Sequence, residues 1–312
     1  MDTSSEDKTG KLKLKLPVLT ANMDTITEDV MANFIASRGG AGVLHRFCSI
    51  EENVSMFKAC QHLAFVSVGC SDKDLERVEA LRDAGAQYFC VDVAHAHARY
   101  VGRMLKKIRD LVGDNACIMA GNVATYAGAD YLASCSADII KVGIGGGSVC
   151  TTRIKTGFGV PTLYSVKECS RVDRSIVADG GLRAPGDVVK ALAFGADFVM
   201  LGGIFAGASV TPGDVETDEA GQKYKVYRGM ASREAQEDFL GPMGDWKTAE
   251  GVATRVPYHE RHEAIVADII GGLRSGLTYG GALTIRELQR KLNYVLVTPA
   301  GRVESLPHKT FS

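Results

Sequence analysis

Short apolar segments recur along the first two thirds of the chain, and this recurrence constrains the fold more strongly than any other feature of the sequence. They start about 20–40 residues apart, and the stretches between them include amphipathic patterns such as Asp72–Ala84 and Ala184–Phe194. Near-continuous apolar strands that alternate with helices are typical of a parallel sheet that is buried on both faces. The eight segments are Leu16–Asn22, Ala41–Arg46, Leu63–Gly69, Ala86–Ala94, Ala116–Val123, Ala137–Gly145, Ser175–Gly181 and Ala196–Gly203.

Eight strand-and-helix units predict a (β/α)8 barrel, an α/β fold that takes about 250 residues. The chain has 312 residues and therefore has room for insertions. An open, doubly wound sheet is the alternative, but it expects a G-x-G-x-x-G turn after its first strand, and Thr20–Asp24 lacks one. We predict a single barrel domain over residues 1–312, with a polar loop at about 231–256 that serves as a mobile flap. The segment Glu263–Asn293 is predicted to form two helices joined at Thr278–Gly281.

Charge and composition exclude several classes of protein. The 36 basic and 37 acidic residues nearly cancel, whereas nucleic-acid binding proteins usually carry a basic surplus. No apolar stretch approaches the roughly 20 residues of a membrane span, and the polar start of the chain lacks the apolar core of a signal peptide. Eight cysteines occur without a Cys-x-x-Cys pair, so no zinc ribbon is indicated. We therefore expect a cytoplasmic protein that binds neither nucleic acid nor membrane.

Glycine pairs follow the seventh and eighth apolar segments, at Gly180-Gly181 and Gly202-Gly203. Active sites of (β/α)8 barrels form at the C-terminal ends of the strands, where these pairs would lie. Backbone N–H groups can approach an anion closely only where no Cβ intervenes, so the pairs indicate a phosphate site. Tight turns between strand and helix would also require glycine, and this is the structural alternative. Asp179 suits a ribose, because a carboxylate can accept from both hydroxyls.

The sixth segment continues into a glycine-rich loop, Gly143–Arg153, that contains Cys150. This loop is not the dinucleotide fingerprint, because it ends in Cys-Thr-Thr rather than opening a helix. A cysteine in a polar loop at a barrel mouth can be exposed and ionised, as a nucleophile requires. A buried structural cysteine is the alternative. Backbone carbonyls of the same loop could also hold a monovalent cation.

The fourth segment ends in the sequence DVAHAH, which spans Asp92, His95 and His97. Two histidines at this spacing on a strand share a face, so a metal pair must be considered, but no third ligand is apparent. Asp92 is better interpreted as an acceptor for a hydroxyl group. Asn122, after the fifth segment, could donate to and accept from a base or a ribose.

Together these motifs resemble those of the inosine-monophosphate dehydrogenase and GMP reductase family. The resemblance spans nearly the whole chain, and the motifs are long and occur in order. It implies a (β/α)8 barrel, a homotetramer, a purine nucleotide substrate and a nicotinamide cofactor. The motifs are GIGGGSVCTTRIKTG at 143–157, ANMDT at 21–25, DVAHAH at 92–97, AGNVAT at 120–125, ADGG at 178–181, MLGG at 200–203 and YRGM at 227–230.

Both reactions of this family pass through a covalent thioimidate between the purine and a cysteine. The dehydrogenase must then activate water to hydrolyse the adduct, and its family members use an Arg-Tyr pair on the flap. The flap at 231–256 contains no Arg-Tyr, and its segment Trp246–Gly251 resembles the reductase segment that bears a catalytic glutamate. The lack of a tandem CBS (Bateman) insertion between the second and third segments is compatible with a reductase. The resemblance therefore favours the reductase branch, in which NADPH converts GMP to IMP and ammonia.

Other features resemble the dehydrogenase branch, which oxidises IMP to XMP with NAD⁺, so this reaction is an open alternative. A catalytically silent purine-nucleotide sensor is a third possibility, against which the presence of Cys150, Thr152 and Glu250 argues. The dehydrogenase-like features are Arg228 in YRGM, the pair His95 and His97, His45-Arg46, and the tail Ala300–Ser305, whose counterpart supplies cation ligands across a subunit interface.

The resemblance also implies roles for individual residues. Cys150 attacks carbon 2 of the purine, while Thr152 and Glu250 protonate and position the departing ammonia, which is a poor leaving group unless protonated. The implied substrate-binding residues are Met23, Asn122, Ser148, Asp179, Gly181, Gly202, Gly203, Gly229 and Met230. The implied cofactor-binding residues are Asp92, Ala94, Lys247 and Ser275, and the carbonyls of Gly145 and Gly147 are implied ligands of a potassium ion. Lys247 could favour the 2′-phosphate of NADPH as a point charge.

Overall fold

The computed structural model describes residues 1–244 and 246–307. Its strands are β1 Ser5–Glu6, β2 Lys13–Leu14, β3 Val18–Thr20, β4 Ala41–Leu44, β5 Ala64–Val68, β6 Tyr88–Asp92, β7 Cys117–Val123, β8 Ile139–Val142, β9 Ser175–Asp179, β10 Phe198–Leu201, β11 Glu216–Thr217, β12 Lys223–Arg228 and β13 Ala253–Pro257. Its helices are α1 Asp29–Ser37, α2 Ile50–Ala59, α3 Asp72–Asp83, α4 Arg99–Val112, α5 Tyr126–Ser134, α6 Thr152–Thr156, α7 Thr162–Cys169, α8 Pro185–Ala193, α9 Arg233–Leu240, α10 His262–Tyr279, α11 Ile285–Arg290 and α12 Pro299–Glu304.

The central element is a closed barrel of eight parallel strands, β3 to β10, in which each strand pairs with the next and β10 pairs with β3. The closing register joins Val199 to Val18 and Leu201 to Thr20. Every barrel strand lies within one of the eight predicted segments, and α3 and α8 match the two predicted amphipathic helices. The predicted (β/α)8 fold is therefore confirmed.

Side chains of the barrel strands alternate between two buried clusters, as the two-residue period of a strand requires. One cluster fills the interior of the barrel, and the other packs between the strands and the surrounding helices. Along β6, Cys90 belongs to the interior cluster, whereas its neighbours Phe89 and Val91 belong to the outer one. The barrel is thus a packed core and not a pore.

The segment before the barrel closes its N-terminal end. β1 and β2 form an antiparallel hairpin, and Leu12 and Leu14 from this segment join the interior cluster. Lys11 pairs with Asp138, which directly precedes β8, at 2.8 Å. The open end of the barrel is therefore the one at which the strands terminate.

The flap, residues 231–256, includes one helix that the sequence analysis does not predict. It contains α9, whose first turn is capped by the Ser232 side chain accepting from the N–H of Ala235, and it runs into β13, which pairs with β12. The sequence does not reveal α9, because a single capped helix of eight residues is too short to give a clear periodic pattern.

The C-terminal part of the chain follows the sequence prediction more closely. The two helices expected over 263–293 are α10 and α11, and α10 packs against α8 of the barrel layer. The eight cysteines are unpaired. Over residues 1–244 and 246–307, no helix is both long enough and apolar enough to span a bilayer.

Candidate active site

A pocket opens at the C-terminal ends of the barrel strands and has two lobes. The main lobe is a cavity of about 340 Å³, and the glycine lobe beside it is a cavity of about 230 Å³. Met23, Asp179 and Tyr227 line both. The predicted residues in the main lobe are Met23, Asp92, Ala94, Asn122, Gly145, Gly147, Cys150, Thr152, Asp179, Gly229, Met230 and Glu250, and those in the glycine lobe include Ser148, Gly181, Gly202 and Gly203.

Two predicted cofactor-binding residues are not brought into the pocket. Lys247 is exposed in the flap, and Ser275 is exposed on α10. Neither lines either lobe. Of the four predicted cofactor-binding residues, Asp92 and Ala94 therefore line the main lobe, and these two do not.

The candidate nucleophile lies on the wall of the main lobe. Cys150 is partly exposed, and its Sγ lies 3.2 Å from the Oγ1 of Thr152. It is not one of the buried core cysteines, so the alternative of a structural cysteine does not describe its position. Thr152 opens α6, which fixes its hydroxyl beside the thiol.

The flap is joined by its main chain to the loop that carries the thiol. The N–H of Thr151 donates to the carbonyl of Glu250 at 2.8 Å, and the N–H of Val252 donates to the carbonyl of Val149 at 3.0 Å. Cys150 and Gly251 form an antiparallel bridge. These bonds bring Glu250 into the lobe that Cys150 and Thr152 line.

A buried lysine that the sequence analysis missed organises the polar floor of the pocket. Lys141 on β8 is only 4% exposed, and its Nζ donates to Asp92 Oδ1 at 2.8 Å and to Asp179 Oδ2 at 3.0 Å. Asn122 Nδ2 donates to the same Asp179 oxygen at 2.9 Å. The four residues come from the ends of the consecutive strands β6, β7, β8 and β9. A lysine inside an otherwise apolar strand is the signal that could have revealed this cluster, because a buried ammonium needs a partner.

The charges of this cluster support one another. Burial alone would lower the pKa of Lys141, but the carboxylates of Asp179 and Asp92 outweigh it and raise the pKa above its ordinary value. Burial likewise opposes the charge of Asp92, but Lys141 and Arg46 reverse that effect, and the pKa of Asp92 is lowered. Asp92 is therefore ionised near neutral pH and can accept hydrogen bonds from ligand hydroxyls.

Arg46 and Asn122 line the main lobe, and each has one buried side-chain atom without a hydrogen-bond partner among the described residues. These atoms are Asn122 Oδ1, an acceptor, and Arg46 Nε, a donor. Buried polar atoms are normally satisfied, so these two are exceptions at the edge of the pocket.

The glycine lobe is a cradle that larger side chains would fill. A Cβ at Gly203 would lie 2.7 Å from Ser148 Oγ, and one at Gly180 would lie 3.1 Å from the backbone nitrogen of Gly147. The hydroxyls of Ser148 and Tyr227 are 3.0 Å apart. Burial raises the pKa of Tyr227, so its phenol stays protonated and can donate to an anion.

Side-chain contacts attach the flap helix α9 to the barrel. Arg228 joins Asp24 at 2.6 Å and Asp238 of α9 at 2.5 Å. The ring of Phe239 packs on that of Phe47, with centroids 5.2 Å apart. Arg228 was noted in the sequence as one letter of a motif, and its partner on the flap was not predicted.

An eight-stranded barrel whose open end presents a thiol, a hydroxyl and a carboxylate beside a glycine cradle has the architecture of a (β/α)8 enzyme. A model of the IMP dehydrogenase / GMP reductase domain family matches residues 1–308. The chain belongs to this family, and the predicted resemblance is confirmed, as is the expectation of an oxidoreductase.

Individual relatives carry both names of the family. The chain is 40% identical to GMP reductase 2 of Mus musculus, over 91% of this chain and 83% of that protein. It is 39% identical to GMP reductase of Shigella boydii, over 90% and 84%. A crystal structure of inosine 5′-monophosphate dehydrogenase from Legionella pneumophila superposes with a TM-score of 0.89 at 69% identity, covering 96% of this chain and 93% of that one.

Proposed function

We propose that the chain is a GMP reductase that uses NADPH to convert GMP to IMP and ammonia. The observation that carries the proposal is the arrangement of Cys150, Thr152 and Glu250 on one wall of the main lobe, with Sγ of Cys150 at 3.2 Å from the Thr152 hydroxyl. The flap sequence 231–256 also lacks an Arg-Tyr pair that could activate water.

In this reaction, the thiolate of Cys150 bonds to carbon 2 of GMP, and the electron pair of the C2–N3 double bond moves onto the ring nitrogen. The exocyclic amine must gain a proton before its bond to carbon 2 breaks, because the neutral molecule ammonia leaves far more readily than its anion. Thr152 and Glu250, which line the same lobe as Cys150, would deliver that proton. Loss of ammonia restores the C=N bond and gives the thioimidate, a covalent intermediate between Cys150 and the purine.

The second half of the reaction requires hydride at the same carbon. When bound, the nicotinamide cofactor supplies this hydride, and the thiolate of Cys150 departs to leave IMP. The role of the chain is to hold the purine still and to keep water away from the thioimidate. Met23, Gly229 and Met230 line the lobe where the base would lie.

The polar floor would position the two ribose rings. Asp179 is the acceptor for the substrate ribose, and Asp92 is the acceptor for the nicotinamide ribose, beside Ala94. Lys141, between the two carboxylates, keeps them apart and oriented. Ser148 and the glycines of the glycine lobe, Gly181, Gly202 and Gly203, would hold the phosphate.

A nicotinamide cofactor fits the pocket at its reactive end. The polar residues Arg46, Asp92 and Asn122 line the lobe there. The choice of NADPH over NADH rests on the resemblance of Lys247 and Ser275 to family positions, since neither lines the pocket. Comparing KM for NADPH and NADH in Lys247→Ala tests this choice.

A potassium ion, a homotetramer and a cytoplasmic location complete the proposal by resemblance. The Gly147 carbonyl accepts the N–H of Cys150 at 3.2 Å, so an ion held by Gly145 and Gly147 would brace the turn that carries the thiol. Replacing potassium with choline should lower activity if such an ion is bound.

The homotetramer is tested by light scattering, which measures the molar mass in solution. The eight unpaired cysteines fit a reducing compartment such as the cytoplasm.

The deciding experiment is a pair of assays on the purified protein. GMP with NADPH should give IMP, ammonia and loss of NADPH absorbance, whereas IMP with NAD⁺ should give no XMP. Formation of XMP in the absence of the first activity would overturn the proposal. Nucleotide binding with no turnover in either assay would indicate the silent sensor.

A dehydrogenase is the second candidate, and one specific observation favours it. The structure at 69% identity carries the name inosine 5′-monophosphate dehydrogenase, although the GMP reductases match at about 40%. Arg228, which resembles the dehydrogenase motif, also anchors α9 to the barrel. The same two assays separate the candidates.

A further inference from the structure

Among the described residues, the lining of the glycine lobe includes one lysine or arginine, Arg183, which the motifs do not single out. We propose that Arg183 is a specificity-determining residue that binds the phosphate of the substrate and selects nucleotides over nucleosides. The proposal rests on the proposed function, because it concerns the same pocket.

The charge balance of the lobe creates the need for this residue. A phosphate monoester carries about −1.5 to −2 charges at pH 7. The donors that face it are neutral, namely the hydroxyls of Ser148 and Tyr227 and the N–H groups of the glycines. Asp179 adds a negative charge to the lining, and the one ammonium of Lys141 is shared between Asp179 and Asp92. Without Arg183 the lobe would offer hydrogen bonds but no net attraction for an anion.

The neighbouring cationic residues Arg46, Lys141 and Arg153 do not line the glycine lobe. Arg46 and Lys141 line the main lobe, and Arg153 donates to the carbonyl of Val160 at 2.7 Å. Of the described residues that line the glycine lobe, Arg183 is the only lysine or arginine. It therefore supplies the positive charge that the cradle otherwise lacks.

The side chain of Arg183 can change its orientation, whereas its main chain is held in place. Its backbone N–H donates to Asp187 Oδ2 at 3.0 Å, which fixes the main chain two residues after Gly181. Its side chain is 71% exposed, and its Nε lies 3.8 Å from Asp187, an exposed pair that contributes little to stability. The planar guanidinium can exchange this contact for two parallel hydrogen bonds to a phosphate, a geometry that a lysine cannot reproduce.

The test compares binding of GMP, IMP and guanosine by isothermal titration calorimetry in four proteins. These are the wild type, Arg183→Ala, Arg183→Lys and the matched control Arg171→Ala, which removes an exposed arginine outside both lobes. We expect Arg183→Ala to bind both nucleotides about tenfold more weakly, the loss of one charge-assisted contact at a partly exposed site. Guanosine should bind equally in all four proteins, and Arg183→Lys should be intermediate.

Unchanged nucleotide affinity in Arg183→Ala would overturn the inference, as would an equal loss for guanosine, since that loss could not come from the phosphate. These outcomes are separate from the proposed function, because binding is measured without turnover. If the wild type binds nucleotides but does not reduce GMP, the proposed function alone fails. If the wild type binds neither nucleotide, both fail.

Discussion

The two walls of the pocket are built in different ways. On one wall, Asp92, Asn122, Lys141 and Asp179 come from four consecutive barrel strands and are joined by hydrogen bonds of 2.8, 2.9 and 3.0 Å. On the other wall, Glu250 comes from the flap, whose helix is attached through Asp238, a side chain that is 65% exposed.

We therefore expect the residues on the barrel wall to serve nucleotide binding and those on the flap wall to serve the chemical steps. The charges that would grip ribose are part of the barrel core, so changing them disturbs the fold. The carboxylate that would serve the departing amine lies on a segment outside the barrel, so it can be changed while the barrel stays intact. Variants on the two walls should therefore fail in different ways.

The largest effect should come from removing the thiol of Cys150, which lies on the same wall as Glu250. Cys150→Ala should abolish turnover, because no covalent bond to carbon 2 can form, while nucleotide binding persists. Steady-state assays and calorimetry on the same sample test both halves, with Cys60→Ala as a control outside the pocket. Retained turnover in Cys150→Ala would remove the mechanism.

On the binding wall, Lys141→Met should lower the free energy of unfolding by about 3 kcal/mol, because it leaves two carboxylates without their buried partner. Nucleotide affinity should fall as well, and Lys141→Arg should recover part of both. Urea unfolding measures the first quantity and calorimetry the second. A fully stable Lys141→Met protein would contradict the picture of a charge cluster built into the core.

The pH dependence of that loss sharpens the test. The pKa of Asp92 is lowered from its ordinary value of 3.8, so ionised Asp92 stabilises the folded state at any pH above 3.8. This contribution to the free energy of unfolding disappears as the pH falls through the lowered pKa. The stability difference between wild type and Lys141→Met should therefore be constant near neutral pH and narrow in acid. A difference that grows in acid would require another cause.

A smaller, purely kinetic effect is expected for the flap carboxylate. Glu250→Gln should lower kcat about 100-fold, the scale of one lost acid–base group, with unchanged stability and nucleotide affinity. Glu234→Gln, also on the flap but exposed and outside the pocket, is the matched control. Equal effects of the two variants would show that Glu250 has no special role.

The smallest effect is expected at the attachment of the flap helix. Asp238→Asn removes a partly exposed pair with Arg228 and should cost less than about 1 kcal/mol. It should speed proteolytic cleavage within 240–248 without changing the melting temperature of the barrel. Unaltered cleavage would mean that Phe239, the hydrogen bond from Gln236 to the Met230 carbonyl and the backbone bonds hold α9 without this pair.

Most of the fold was predictable because its signal is local and repeated. Eight apolar segments separated by helical stretches predict the barrel, and the rule that sites form at strand ends predicts that Cys150, Asp92, Asp179 and the glycine pairs lie at one end of it. Lys141 carries a signal that could have predicted the buried charge cluster, because it is a charged residue within an apolar strand.

The remaining features could not be predicted because their causes are not local. Arg228 meets Asp24 across 204 positions of the sequence, and no spacing rule relates them. The helix α9 is too short for periodicity to distinguish it from a loop. The positions of Lys247 and Ser275 outside both lobes could not be predicted, because a family resemblance gives no information on where an exposed side chain lies.

The hydrogen bonds between the flap and the cysteine loop are all made by main-chain atoms, from Thr151 to Glu250 and from Val252 to Val149. Such bonds do not depend on which side chain occupies position 250. Evolution can therefore exchange the acidic residue there, or its neighbours, while the spatial relation to the sulfur is inherited unchanged. A fold with this property can diversify its chemistry through point substitutions alone.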